Sequence, residues 1–176
     1  MKNLLLLSSS RSENTEYLDH AKAMIKAHLG EIKSIVFIPY AGVTVTYDDY
    51  TDMVQNALKE LGVTVKGIHQ FDCPKMAITQ TDAILVGGGN TFRLLERLYH
   101  FDLVSTIKEK VAMGMVYIGW SAGSNIAGLS IKTTNDMPII EPKSFTALEL
   151  INCQLNPHYT DFNPPGHNGE TREQRL

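Results

Sequence analysis

Apolar and polar positions along this chain follow two rhythms: short continuous apolar runs, and longer stretches in which apolar residues recur at three- and four-residue steps. The runs at 4–7 and 35–38 read as buried strands, since a sheet with one wet face would alternate instead. Two more strands are predicted at 82–86 and in the run that opens at Val116. The pattern at 63–68 does alternate, with Val63, Val65 and Gly67 on one side, and suits a sheet edge. Between the runs lie three helical patterns. Leu18, Ala21, Ile25 and Leu29 mark a helix over 15–29 that Gly30 ends. Tyr50, Met53, Val54, Ala57, Leu58 and Leu61 form the stripe of a second, with Met53 read as core filler. The third, over 92–111, carries Leu94, Leu95, Leu98, Ile107 and Val111 and breaks near His100. His20 and His28 fall on a helix surface, and His69 and Cys73 in a loop. Strands alternating with helices at this spacing predict right-handed crossovers and a mostly parallel sheet, hence a three-layer α/β/α sandwich.

Two turns depart from this ordinary pattern. Gly87-Gly88-Gly89-Asn90 follows the fourth strand, and Gly119-Trp120-Ser121-Ala122-Gly123 follows the fifth. Both emerge at the carboxyl edge of the sheet, where such folds collect ligands. A Gly-x-Ser-x-Gly turn between strand and helix presents a nucleophilic serine, so Ser121 is the candidate nucleophile; the competing reading is a helix-capping serine. Consecutive glycines free their amides for an anion. The Walker lysine and the spaced dinucleotide fingerprint are absent, which favours an oxyanion hole over a phosphate cradle.

A serine hydroxyl needs a base. His158 sits in the turn Asn156-Pro157-His158 after a strand-like segment at 151–155, and His167 in the following Pro/Gly-rich loop competes with it. Asp136 falls after Ser121 and before His158, the chain order of an α/β-hydrolase triad. Asp161 is the acid between the two histidines.

Composition narrows the setting. At 176 residues the chain is sized for one core, and 1–176 reads as a single domain. With 43% hydrophobic and 20% charged residues it is ordinary globular protein, and a net charge of -3 argues against nucleic-acid or anionic-membrane partners. The leucines at 4–7 are too few for a leader and read as a first strand; no apolar run reaches the length of a bilayer. Cys73 and Cys153 lack metal-ligand or disulfide-framework spacing, so a reducing cytoplasm, with no metal and no cofactor, is expected.

Five segments in order, Gly87-Gly88-Gly89-Asn90-Thr91-Phe92, Ile118-Gly119-Trp120-Ser121-Ala122-Gly123, Thr133-Thr134-Asn135-Asp136-Met137-Pro138, Asn156-Pro157-His158 and Gly169-Glu170-Thr171-Arg172-Glu173-Gln174-Arg175, resemble the peptidase E family of aspartyl dipeptidases. Pro39-Tyr40-Ala41-Gly42-Val43-Thr44 matches as well. The resemblance implies a class I glutamine-amidotransferase-like fold and release of an N-terminal aspartate from a dipeptide. It implies Ser121 as nucleophile, His158 as general base, and the amides of Gly89 and Ala122 as oxyanion donors. Arg172 would clamp the aspartate carboxylate, with Asn90 also binding substrate. The family's third triad member, a glutamate in a Pro-Glu-Gly segment well beyond the histidine, has no counterpart before Leu176. That departure implies a substitute acid such as Asp136, a Ser-His dyad, a chain cut from a longer product, or a member that binds aspartate or acidic peptides without turnover. A related hydrolase with a different acyl substrate is the remaining expectation.

Overall fold

Five parallel strands lie in the order β1-β5-β4-β2-β3: β1 (Asn3–Leu7), β2 (Ser34–Ile38), β3 (Thr64–Gly67), β4 (Ala83–Val86) and β5 (Val116–Trp120). The computed structural model describes residues 1–162, 164–166 and 170–175. Side chains alternate across each strand, so one sheet feeds two cores. Ile35, Phe37, Leu85, Ile118 and Trp120 face α1 (Lys22–Leu29) and α2 (Tyr47–Leu58). Val36, Ile38, Ile84, Val86 and Tyr117 face α3 (Pro74–Gln80), α4 (Thr91–His100) and α5 (Val104–Ala112). The sandwich read from the hydrophobic pattern is therefore the observed fold, and β3 is an edge strand as its alternation requires. After β2 the chain leaves on the α2 face, and after β4 on the α4 face. That reversal opens a crevice at the carboxyl ends of the central strands.

Local details differ from the sequence reading for physical reasons. The first helix does not run from 15. Leu18 takes a left-handed backbone (φ 60°) with its side chain wholly buried, and only then do a 3-10 turn (Asp19–Ala21) and α1 begin. Burial of one leucine outweighs local helical periodicity there. The helix α3 arises where a loop was expected, with Pro74 at its first turn and Ala77 and Ile78 buried. The segment 151–155 forms no strand; its carbonyls are claimed by loops instead, that of Cys153 by the Leu129 amide and that of Leu155 by Asn125 and Thr133. Met53 is 37% exposed rather than core. No helix among the described residues is long and apolar enough to cross a membrane.

Leu95, fully buried under the sheet, measures how tightly the α4 face is packed. Leu95→Ala is expected to cost about 2–5 kcal/mol. The readout is a lower urea midpoint with an unchanged m-value.

Candidate active site

The turn after β5 is shaped by how closely backbones approach one another. A Cβ on Gly123 would lie 2.1 Å from the Val86 carbonyl oxygen, and one on Gly119 would lie 2.4 Å from that of Gly123. Neither position admits a side chain, so α6 (Ala122–Asn125) starts directly on the end of β4. Ser121, between them, is driven to φ 52°, ψ -116°, a conformation that costs a non-glycine residue about 1–3 kcal/mol. Its surroundings hold it there. The Ser121 amide donates to the Leu7 carbonyl (3.1 Å), and the Ser124 hydroxyl bridges the carbonyls of Leu7 (2.7 Å) and Gly119 (2.8 Å). The buried Tyr117 hydroxyl donates to the Gly123 carbonyl at 2.5 Å.

His158 comes from the loop beyond the sheet. Its Nε2 lies 2.8 Å from Ser121 Oγ. It too has a positive φ (59°), and its amide donates to the Ser8 hydroxyl at 2.8 Å, just past the end of β1. Sequence reasoning gave Ser8 no role. Among the described residues Ser121 is the sole hydrogen-bond partner of the His158 ring. The competing His167 lies outside the described residues, as does Gly169 of the last motif.

Asp136 does not hydrogen-bond that ring. Its Oδ2 accepts from the Thr91 amide (2.7 Å), the Thr91 hydroxyl (2.6 Å) and the Thr134 hydroxyl (3.1 Å), pinning its loop to the start of α4. Three donors converge on that one oxygen, two of them from the first turn of a helix. Asn90 is likewise committed elsewhere. Its Oδ1 accepts from the Arg93 amide as the cap of α4, and its Nδ2 donates to the Met137 carbonyl. The side chain expected to touch substrate is thus a structural cap.

The Gly89 and Ala122 amides have no acceptor among the described residues. Gly89 has φ 132°, and a Cβ there would meet the Ala41 carbonyl oxygen at 2.2 Å, so only glycine fits. Ser121 and His158 line two hollows. One, of about 200 Å³, also includes Thr91, Asn125, Asp136 and Arg172. The other, of about 290 Å³, lies toward Gly88, Gly89, Val43, Met53 and Tyr50. Arg172 opens the short helix α7 (Arg172–Arg175), and its Nη1 is buried with no partner among the described residues. Asn125 Oδ1 is buried and unpartnered as well. Among the described residues no cluster of His, Cys, Asp or Glu could hold a metal ion.

Residues 4–176 match peptidase family S51. A peptidase E of Shewanella baltica is 59% identical over 174 residues, covering 99% of this chain and 73% of its own. One from Shewanella oneidensis is 57% identical, with coverage of 99% and 74%. Among solved structures, one described as a peptidase E protein of Listeria monocytogenes superposes with a TM-score of 0.70 at 28% identity, over 86% of this chain and 76% of that one. A peptidase from an actinobacterium shares the fold, with a TM-score of 0.65 at 18% identity over 90% and 69% of the two chains.

Ser8 provides a check on the site's rigidity that needs no substrate. In Ser8→Ala the strained His158 backbone loses its acceptor, and amide hydrogen exchange at His158 is expected to accelerate roughly ten-fold or more, as the loss of one hydrogen bond worth about 1.5 kcal/mol implies. Thermal stability should change little, because the contact is on the surface.

Proposed function

The chain belongs to peptidase family S51, and from that premise we propose that it hydrolyses dipeptides with an N-terminal aspartate through an acyl-enzyme on Ser121. The observation that carries this reading is the 2.8 Å contact between His158 Nε2 and Ser121 Oγ at a strained strand-to-helix turn. In the proposed reaction Ser121 Oγ attacks the aspartyl carbonyl carbon while its proton passes to His158. The carbonyl oxygen becomes an oxyanion held by the amides of Gly89 and Ala122. His158 then gives its proton to the departing amine as the C–N bond breaks. Water, deprotonated in turn by His158, attacks the ester carbonyl, and the proton returns to Ser121 Oγ as the C–O bond breaks and aspartate is released.

Selectivity for aspartate rests on Arg172. A guanidinium nitrogen buried without an acceptor is costly, and a substrate carboxylate entering the same hollow supplies two oxygens for its planar fork. Asp136 lines that hollow too, where it contributes charge rather than a hydrogen bond to the imidazole. The leaving residue lies on the other side of Ser121, against Val43 and Met53, whose exposed apolar surfaces suit an uncharged side chain. No metal or cofactor takes part in the scheme.

Purified protein should release aspartate from Asp-Leu, and Ser121→Ala and His158→Ala should each lower turnover by at least about a thousand-fold. A Ser121→Ala chain that retains wild-type turnover would exclude the acyl-enzyme. Arg172→Met tests the clamp separately. A bidentate charged contact worth about 2–3 kcal/mol predicts a roughly 30- to 150-fold loss of kcat/KM on Asp-Leu. Its preference over Asn-Leu should collapse by a similar factor. Equal loss on both substrates would show that Arg172 is structural.

A further inference from the structure

Behind the site stands a hydrogen-bonded group of aromatic side chains that the acyl-transfer scheme leaves without a role. Trp120 and Tyr50 are 1% and 5% exposed, and Tyr17 packs edge-on against Trp120. Phe37 stacks on the Trp120 ring and meets Tyr50 edge-on, so all of these rings share one wall of the sheet. Polar atoms buried among such rings must be paired, and the pairing here has a direction. The indole N–H of Trp120 lies 3.0 Å from the Tyr17 hydroxyl and 3.3 Å from that of Tyr50. The Tyr17 hydroxyl donates to the Tyr50 oxygen at 3.2 Å. The Tyr50 hydroxyl donates to the Gly88 carbonyl at 3.0 Å.

A phenol has one proton and two lone pairs. With Tyr17 and Trp120 donating to the Tyr50 oxygen, its proton is directed to the Gly88 carbonyl. Burial pushes the Tyr50 phenol above its ordinary range, which keeps that proton in place through neutral and alkaline pH. The consequence falls on the next atom pair. The peptide joining Gly88 to Gly89 is planar and trans, so holding the Gly88 carbonyl toward Tyr50 turns the Gly89 N–H to the opposite side. The ends of this turn are fixed separately, the Gly87 amide by the Ile38 carbonyl (3.1 Å) and the Asn90 amide by the Ala41 carbonyl (2.8 Å). Between them the two glycines have no side chains to resist rotation of that peptide. The space is tight on both sides. A Cβ on Gly87 would lie 2.7 Å from the Tyr50 hydroxyl, and one on Gly88 would lie 3.0 Å from Ser121 Cβ.

We propose that Tyr50, seated by Tyr17 and Trp120, is a positioning residue that holds the Gly88–Gly89 peptide with the Gly89 N–H aimed at the oxyanion formed on Ser121. This rests on the acyl-transfer reading of Ser121. Because Trp120 immediately precedes the nucleophile, one network ties the two halves of the oxyanion hole to a common reference.

The test uses a fluorophosphonate on the full chain, which needs no dipeptide preference. Ser121 Oγ attacks phosphorus, fluoride leaves, and the serine proton passes to His158. Removing an oxyanion donor outright costs about 10²–10³-fold, so a misaimed one in Tyr50→Phe is expected to slow phosphonylation about 10- to 100-fold. On Asp-Leu the same variant should lose kcat by a similar factor with KM within about three-fold, since the amide acts on the transition state. Tyr17→Phe, which leaves the Tyr50–Gly88 bond in place, should slow phosphonylation less than about three-fold. Wild-type rates in Tyr50→Phe, or equal losses in both variants, would overturn the proposal. So would loss of cooperative melting in Tyr50→Phe, since the hydroxyl would then support the fold rather than one peptide. A wild-type chain that is phosphonylated but leaves Asp-Leu intact removes only the dipeptide reading. One that resists phosphonylation removes both.

Discussion

The close approach of α6 to the end of β4 is the constraint on which the site depends. Because the Gly123 backbone rests against the Val86 carbonyl, the chain must turn from strand to helix within a single residue, and that residue is Ser121. The strain is local; the compensation is distributed. Leu7 accepts from both Ser121 and Ser124, so β1, at one edge of the sheet, holds a turn that belongs to its neighbour β5. A backbone conformation costing about 1–3 kcal/mol persists because several hydrogen bonds over-determine it.

Sheet order then decides which loops meet. Ser8 follows β1, Ser121 follows β5 and Gly89 follows β4, three adjacent strands in the sheet though far apart in sequence. The turn after β2 contributes the Ala41 carbonyl that holds Asn90. Each site element is thus anchored to a strand end by backbone contacts. The side chains of His158, Arg172 and Asp136 hang from the longer segment beyond α6. Among the described residues its only ladder contact is an isolated bridge between Ser130 and Thr146. A candidate nucleophile fixed at a strand end, with polar side chains supplied by loops around it, is an arrangement in which the rim can be altered without rebuilding the fold.

What the sequence disclosed follows from the range of each signal. Continuous apolar runs located four of the strands and alternation located β3, while Gly-x-Ser-x-Gly located the turn at Ser121, because these signals are written within a few residues. Pro74 was a readable start signal for α3 that periodicity alone passes over, since a helix this short offers little stripe to recognise. Partner choice was not readable. Asp136 satisfies the chain order of a triad, yet the first turn of α4 takes its oxygen; Asn90 sits in a glycine-rich motif, yet caps the same helix. Both were diverted by α4, whose orphan amides demand acceptors that sequence spacing does not reveal. The aromatic group of Tyr17, Tyr50 and Trp120 was equally hidden. Its members come from three separate segments, and Tyr17 reaches it only because Leu18 breaks the expected helix.

Among the described residues no carboxylate hydrogen-bonds the His158 imidazole, and the backbone contributes to holding the residue in place. A positive-φ residue has few neighbouring conformations available to it, and the Ser8 hydroxyl removes more by fixing the amide. In the proposed scheme such a hold helps place Nε2 against Ser121 but does nothing for the charge the imidazole acquires when it takes the proton. A carboxylate partner supplies placement and charge compensation together; backbone strain supplies placement alone. The hollow also holds Asp136 and a buried Arg172 nitrogen that has no acceptor among the described residues. In the proposed reaction a substrate carboxylate beside Arg172 completes that pairing. Binding and activation are then linked through the charge balance of one hollow.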